Sequence, residues 1–298
     1  MQSVLTGSGN VTLLEEIPAA RLIASYRKEY AIDVAGGFAG VDTVSRYRCN
    51  DTGLAFFTPA AIAAAGEFYE HLQQLPFYYR AEKWEYPLAC AGLRGSAAVL
   101  EVGCGAGHFL KFARRNGLPV QGIELNAQAA AQAAAAGLDV SNQSLDGLRR
   151  AGRRFDAICA FHVLEHVPDP GAFIRDIVSL TRAGGKIVFA VPNSAGYEGL
   201  GYDLLQYPPH HMSLWTPTVF RALPSLYPVR LDKLVCERLA GDHVRDYVAW
   251  NVRDFRRHSP RFRWVLNRVT IPVIRWLLRA GLRKICTGHA VYVQFTKI

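Results

Sequence analysis

Residues 99–107 read Val-Leu-Glu-Val-Gly-Cys-Gly-Ala-Gly, an apolar run entering three glycines at alternate positions, with an acid two residues before the first. A short apolar run stopped by glycines and followed by a helical pattern is a buried strand, a tight turn and a helix. That unit commits the chain to parallel pairing, because the helix must carry it back over the sheet before the next strand begins. The glycine spacing also separates two kinds of nucleotide ligand. A dinucleotide fingerprint is G-x-G-x-x-G, whose third glycine lets helix and strand pack closely. Here the third glycine comes one residue early, at Gly107, and His108 stands at the dinucleotide position. A nicotinamide or flavin is disfavoured.

The alternation continues downstream. Strands are expected at 97–102, 119–124, 138–141, 155–161, 186–191, 229–236 and 290–296. Helices are expected at 107–116, 127–136 and 170–182, with another opening at Thr216-Pro217. Asn126 has the side chain of an N-cap, Gly137 that of a helix terminator, and Pro170 sits where a first helical residue belongs. Gly184-Gly185 is expected to end the 170–182 helix. The sum is an α/β chain with a Rossmann-like seven-stranded sheet. Residues 1–92 differ in texture, with aromatic clusters at Phe56-Phe57, Phe68-Tyr69, Phe77-Tyr78-Tyr79, Trp84 and Tyr86, and read as a helical, aromatic cap. The expected division is cap 1–92, core 93–244, basic helical insertion 245–287 and last core strand 288–298.

Composition narrows the class. Half of the 298 residues are apolar and a fifth are charged, which suits a globular chain with a sizeable core. Met1 to Asn10 lack the basic and apolar regions of a signal peptide, and no window has the uninterrupted apolar length of a membrane span. The six cysteines lie far apart with no C-x-x-C pair, so they are expected to be reduced, in a cytoplasmic protein. The formal net charge is +9, and residues 245–284, with ten arginines and one lysine against two aspartates, hold all of it. The excess is local, not a general nucleic-acid-binding surface.

The E-x-G-x-G-x-G spacing resembles motif I of the class I S-adenosylmethionine (SAM)-dependent methyltransferases. In such a turn the N–H groups at the helix start favour a carboxylate, here that of the methionine moiety. Gly103, Cys104, Gly105 and Gly107 would form the cradle, Glu101 would reach the ammonium, and Glu124, followed by Leu125, would accept the ribose hydroxyls. The run Phe161-His162-Val163-Leu164-Glu165-His166-Val167-Pro168-Asp169-Pro170 and the segment 184–193 resemble the ubiquinone-biosynthesis O-methyltransferase-like group. That resemblance covers roughly residues 95–195. It implies that Gln143, Ser144 and Leu145 flank the adenine and that Phe161 and His162 line the sulfonium end. The fold serves many acceptors, so it leaves the substrate open.

A second block, Tyr207-Pro208-Pro209-His210-His211-Met212 to Trp215-Thr216-Pro217, resembles a P-P-H-H…W-T segment of bacterial methyltransferases acting on glycans or small metabolites. A hydroxyl acceptor must lose a proton, and histidine is the usual base at neutral pH. His210 and His211 are the candidates, with His166 behind them; the alternative is that they fix their loop by bonding backbone carbonyls. Some ubiquinone O-methyltransferases carry E-x-x-E-H where this chain has His162, Glu165 and His166, and use a divalent ion. His162 replaces the first Glu, and no metal is expected. Arg46 to Pro59 resembles an N-terminal segment that in some relatives holds C-x-x-C; Thr52 replaces the second cysteine, so no zinc knuckle is expected. The cap would either contribute to the acceptor pocket or merely pack on the sheet.

These readings together imply methyl transfer to a hydroxyl of a small metabolite or sugar, the alternative being a non-catalytic SAM-binding scaffold. A nucleic-acid substrate is not expected, because the N/D-P-P-Y/F motif of base-modifying enzymes is missing after the fourth strand. Residues 265–285 carry Arg268, Arg275, Arg279 and Arg283 on one helical face beside a broad apolar surface, with Pro272 expected to break or kink the helix. That segment could lie on an anionic membrane, or pack on the sheet or on a sister subunit in a homodimer.

Overall fold

In the computed structural model of the chain the structure describes residues 1–64, 66–75, 82–197, 203–259 and 265–298. The aromatic cluster at 77–79 lies outside them. The chain opens with β1 (Val11–Pro18), α1 (Ala19–Tyr30), β2 (Thr43–Cys49), β3 (Ala55–Thr58), α2 (Gly66–Gln73) and α3 (Glu85–Gly92). The core follows as β4 (Val99–Val102), α4 (His108–Arg115), β5 (Val120–Ile123), α5 (Ala127–Ala135), β6 (Val140–Ser141), α6 (Leu145–Arg150), β7 (Phe155–Phe161), α7 (Pro170–Leu180) and β8 (Thr181–Pro192). It ends with β9 (Ser213–Leu214), α8 (Pro217–Ala222), β10 (Val229–Arg238), α9 (Val244–His258), α10 (Thr270–Ala280) and β11 (Thr287–Lys297).

The seven expected strands form one sheet in the order β10-β11-β8-β7-β4-β5-β6. From β8 to β6 all neighbours are parallel; β11 runs antiparallel between β8 and β10. The chain winds from β4 to β6 on one side and from β7 to β8 on the other, so strand order reverses at β4. In such sheets ligands bind beyond the carboxyl ends of the strands at the reversal point. The glycine turn stands there.

Burial on both faces follows the two-residue period of a strand. In β7, Ile158 and Ala160 pack with Leu100, Val102, Phe189 and helix α7, while Ala157, Cys159 and Phe161 pack with Tyr86, Phe109 and Ala113 of α3 and α4. Local signals act where expected: Asn126 accepts from Ala129 N at 2.9 Å, Asp169 from Ala172 N at 2.8 Å ahead of Pro170, and Thr216 caps α8. The six cysteines are free.

Two details differ from expectation. Helix α7 stops at Leu180, before the glycines, because the Thr181 hydroxyl donates to Ile177 O at 2.8 Å and the backbone of this buried, β-branched residue is already extended. Thr181 pairs with Phe155 and Lys186 with Ala157, so residues 182–185 form an outward bulge of β8. Pro272 kinks nothing. Helix α10 begins at Thr270, which puts the proline in the first turn, where its missing N–H has no helical partner to lose.

Among the described residues the cap contains helices together with a four-stranded antiparallel sheet, β1-β2-β3-β9, that the sequence reading did not foresee. Its fourth strand comes from residues 213–214, beyond β8, where Phe56 pairs with Ser213. The histidine segment is thereby stitched to the cap. Trp215 anchors it: the indole is 1 % exposed, stacks on Phe220 at 5.0 Å and donates to Ser213 Oγ at 2.9 Å. Trp215→Ala is expected to cost about 3–5 kcal/mol, the range for emptying a large aromatic site. Urea unfolding with an unchanged slope and a lowered midpoint would show it; a midpoint shift worth under about 1 kcal/mol would contradict this anchoring.

Candidate active site

The turn after β4 has its backbone fixed from the neighbouring strand. Gly103 N and Cys104 N donate to Ile123 O at 2.8 and 3.2 Å, and Gly107 N closes on Cys104 O at 2.8 Å. Gly103 and Gly107 have φ of +70° and +74°, which side-chain-bearing residues avoid. A Cβ would meet Val163 Cγ2 at 2.6 Å on the first and Leu138 Cδ1 at 2.2 Å on the second. The Cys104 side chain is buried with Leu110, Ala133 and Leu138, where burial pushes its thiol far above the usual range. It packs, and only its backbone faces the turn's chemistry.

Glu101 is 3 % exposed, and its Oε2 is buried without a hydrogen-bond partner among the described residues. Burial pushes its carboxyl well above the usual range; Lys83 works against that and Glu124 adds to it. An orphaned buried carboxylate oxygen is costly unless something cationic or hydrogen-bonding meets it. Glu124, at the end of β5, braces the turn: its Oε2 accepts from Gly105 N at 2.9 Å and its Oε1 from Asn126 N at 2.8 Å. Asn142, which the sequence did not single out, donates to Glu124 O and Leu125 O at 2.6 and 2.8 Å and holds that corner. Leu125 itself is exposed. Ser144 caps α6 by accepting from Gly147 N at 3.1 Å, and Leu145 follows it, half-buried against the core.

Phe161 ends β7, buried against Phe109 at 4.7 Å and Tyr86 at 5.4 Å. His162 then takes φ +56° while its N–H donates to Ala190 O at 2.7 Å. Its Nε2 meets Glu85 Oε1 at 3.1 Å, and its Nδ1 stands 3.6 Å from Glu165 Oε1. Burial and Lys83 push this imidazole's pKa down, but the carboxylates of Glu165 and Glu85 outweigh them and leave it raised. Glu85, 1 % exposed in the first turn of α3, is a site residue the sequence reading missed. An acid on an otherwise apolar helix face was its one available signal.

The three candidate histidines come together. The rings of His210 and His211 stack at 4.4 Å, and His166 meets them edge-on at 4.6 and 4.9 Å. Glu165 O joins the two segments by accepting from Met212 N at 2.8 Å and Ser213 N at 3.1 Å. Each Nδ1 faces an oxygen: His166 faces His210 O and His210 faces Leu205 O, both at 2.7 Å, and His211 faces Gln206 Oε1 at 3.3 Å. In the neutral rings this puts the proton on Nδ1 and the lone pair on Nε2. Burial, first of all, and then the neighbouring imidazoles push His210 and His211 well below the usual range; burial also lowers His166. From the cap, Tyr69 stands edge-on to His166 at 5.4 Å and Phe68 lies 5.9 Å from His210.

The same three side chains are, among the described residues, the group with metal-ligand spacing, their ligand atoms lying within 4.8 Å of one another. The i, i+3, i+4 set His162, Glu165 and His166 does not converge in this way. His162 is held toward Glu85, and the Glu165 oxygens are buried without hydrogen-bond partners among the described residues.

Residues 71–230, more than half the chain, match the family model described as methyltransferase domain, and the chain belongs to that family. Among curated proteins, it is 32% identical over 101 residues to a ubiquinone biosynthesis O-methyltransferase of Coxiella burnetii, covering 32% of this chain and 43% of that protein. It is 31% identical over 115 residues to the same enzyme of Serratia proteamaculans, covering 36% and 48%. The chain thus spans under half the length of these relatives. A solved SAM-dependent methyltransferase from Mesorhizobium loti is 17% identical, with 73% of this chain and 98% of that one covered at a TM-score of 0.47. Coclaurine N-methyltransferase bound to N-methylheliamine and S-adenosylhomocysteine is 16% identical, with 71% of each chain covered at a TM-score of 0.46.

The protonation states set a pH dependence. His166, His210 and His211 bind a proton less readily folded than unfolded, so the unfolded chain takes up more protons as pH falls below about 6.5. Their contribution to stability is present above that pH and lost below it, at about 1.4 kcal/mol per pH unit for each such proton. His162, raised in the fold, opposes them with one proton. Stability is therefore expected to fall between pH 7.5 and 5.5, and His211→Gln to flatten that slope. Urea midpoints that stay constant across the interval would contradict buried, neutral histidines.

Proposed function

We propose that this protein is a SAM-dependent methyltransferase acting on a hydroxyl of a small metabolite or sugar. The carrying observation is the cluster of His166, His210 and His211, with ring centroids 4.4 to 4.9 Å apart and each Nδ1 facing an oxygen, joined through Glu165 to the segment that leaves β7. In this reading residues 1–92 cap the acceptor side and residues 93–244 form the cofactor core. Residues 245–287 are an insertion, and 288–298 complete the sheet.

The core fits the cofactor on two counts: the positive-φ turn at Gly103 and Gly107, where a Cβ would clash with Val163 and Leu138, leaves bare backbone ahead of α4, and the orphaned Glu101 oxygen suits an ammonium. The N–H groups at the start of α4 would take the carboxylate. Glu124, beside Leu125, keeps further acceptor lone pairs for ribose hydroxyls while it braces Gly105; Ser144 and Leu145 would flank the adenine, and Phe161 and His162 the sulfur. When bound, SAM supplies a methyl carbon already activated by its sulfonium. The protein's work is then mainly alignment.

His210 or His211 would accept the acceptor hydroxyl's proton on Nε2, and bound SAM would supply the methyl group with its thioether as the leaving group. The carbonyl at each Nδ1 holds the ring in that tautomer, so a loop-fixing bond and a base role coexist in one side chain. Burial keeps the imidazoles unprotonated at neutral pH. Phe68 and Tyr69 beside them favour a small acceptor received under the cap. The net positive charge resides in the C-terminal insertion, away from this site in sequence, which favours no nucleic-acid substrate. The names of the curated relatives support an oxygen as the methylated atom.

His210→Gln and His211→Gln are expected to bind S-adenosylhomocysteine with unchanged affinity by calorimetry. In the residue that serves as base, turnover with a panel of phenolic and sugar acceptors should fall about 100-fold or more. Turnover within a few-fold of normal in both variants removes the base role. Cofactor binding with no turnover of any acceptor by the unaltered protein favours the scaffold alternative.

A second reading rests on the spacing of the same three imidazoles. His166, His210 and His211 would hold a divalent ion, which would supply Lewis-acid activation of the acceptor hydroxyl. Elemental analysis separates the two. The base reading expects no stoichiometric metal and full activity after dialysis against a strong chelator, whereas one equivalent of metal lost along with activity supports the ion.

A further inference from the structure

Helix α10 has two apolar faces, and the fold uses one. Leu278 is buried, with Ile271 and Ile274 beside it, against Tyr197, Leu239, Val244 and Val248. The opposite face presents Val273, Trp276 and Leu277 to solvent, and Val269 precedes it on the same side. Trp276 is 66 % exposed and Val269 72 %, and beyond the helix Leu282 and Ile285 are also exposed, Ile285 at 84 %. At 100° per residue, Val269, Val273, Trp276 and Ala280 fall within a narrow stripe. Arg268, Arg275 and Arg279 line one flank of it.

A contiguous exposed apolar stripe of this kind marks a contact surface. We propose that α10 and the turn after it dock the protein, lying flat, onto an anionic lipid surface, with Trp276, Val273 and Ile285 entering the headgroup–acyl boundary. Charge selects this occupant. Residues 265–285 contain Arg268, Arg275, Arg279, Arg283 and Lys284 and no acid, within the forty-residue stretch that carries the chain's whole positive excess. An aromatic and aliphatic face rimmed by arginines matches the interfacial helix, where apolar insertion and attraction to acidic headgroups add. A second copy fits poorly, because a two-fold contact across the stripe would bring the arginine flanks together with no acid in the segment to pair them. A bare nucleic-acid contact would have no use for exposed Val269, Val273 and Trp276. Among the described residues no helix is long and apolar enough to cross a membrane, so the contact is peripheral.

The test uses the full chain and vesicles of phosphatidylcholine with or without one-third phosphatidylglycerol, at low salt. Co-sedimentation is expected with the anionic vesicles and not with the neutral ones. Brominated lipid should quench tryptophan emission in the unaltered protein and much less in Trp276→Phe. Trp276→Glu and the double variant Arg268→Glu with Arg279→Glu should each weaken binding at least tenfold. All variants change exposed positions, and circular dichroism checks that they are folded. Failure of the unaltered protein to sediment with anionic vesicles overturns the proposal. So does binding that Trp276→Glu leaves intact, or a concentration-dependent dimer that Trp276→Glu abolishes without any lipid binding.

Discussion

The site depends on one braced stretch of backbone, the turn from Gly103 to Gly107. Two of its amides are held by the carbonyl of Ile123 and a third by the carboxylate of Glu124, both at the end of the neighbouring strand. Parallel pairing of β4 and β5 places those acceptors there, since Val102 lies opposite Ile123. The brace fixes where α4 begins, hence where its unpaired N–H groups point, and it keeps buried Glu101 beside them. Glu124 therefore has two tasks. It stabilises the turn from within the protein, and its remaining lone pairs stay available to a ligand.

A second device holds the histidine cluster. The histidine segment is tied at several points: Met212 and Ser213 to the carbonyl of Glu165, Ser213 and Leu214 to β3, and the Tyr26 hydroxyl to the carbonyls of Leu204 and Tyr207. These ties cross three parts of the sequence. They bury imidazoles that would be hydrated in an isolated loop, and burial, more than the neighbouring rings, lowers the pKa of His210 and His211. The cap sheet is thus part of the site's construction, because its last strand is the continuation of the histidine segment.

Much of the core could be read from residue order alone. Strand β7 was legible to the residue, because six of its seven residues are apolar and, Asp156 aside, they are buried on both faces of the sheet. The helix starts at Asn126, Pro170 and Thr216-Pro217 were legible because a capping side chain or a first-turn proline acts within its own helix. The helix end at Leu180 was not. The glycines at 184–185 were the stronger local signal, yet Thr181 is captured by β7, a strand twenty-six residues away. The cap sheet escaped notice for the same reason. Its fourth member lies more than 150 residues after the third in the chain.

The sequence by itself determined the parallel α/β sheet, the glycine cradle at its reversal point and the types of side chain available for chemistry, because these rest on contacts within a strand–turn–helix unit. Only the tertiary structure decided how those side chains are employed. It stacked His210 on His211 and brought His166 against both, turned His162 toward Glu85, and engaged Glu124, expected only to meet ribose hydroxyls, with the glycine turn. It also decided which face of α10 is spent on the fold and which is left to solvent. Those outcomes depend on burial and on partners distant in the chain, which set the charge and tautomer of an imidazole but leave no mark on its neighbours in sequence.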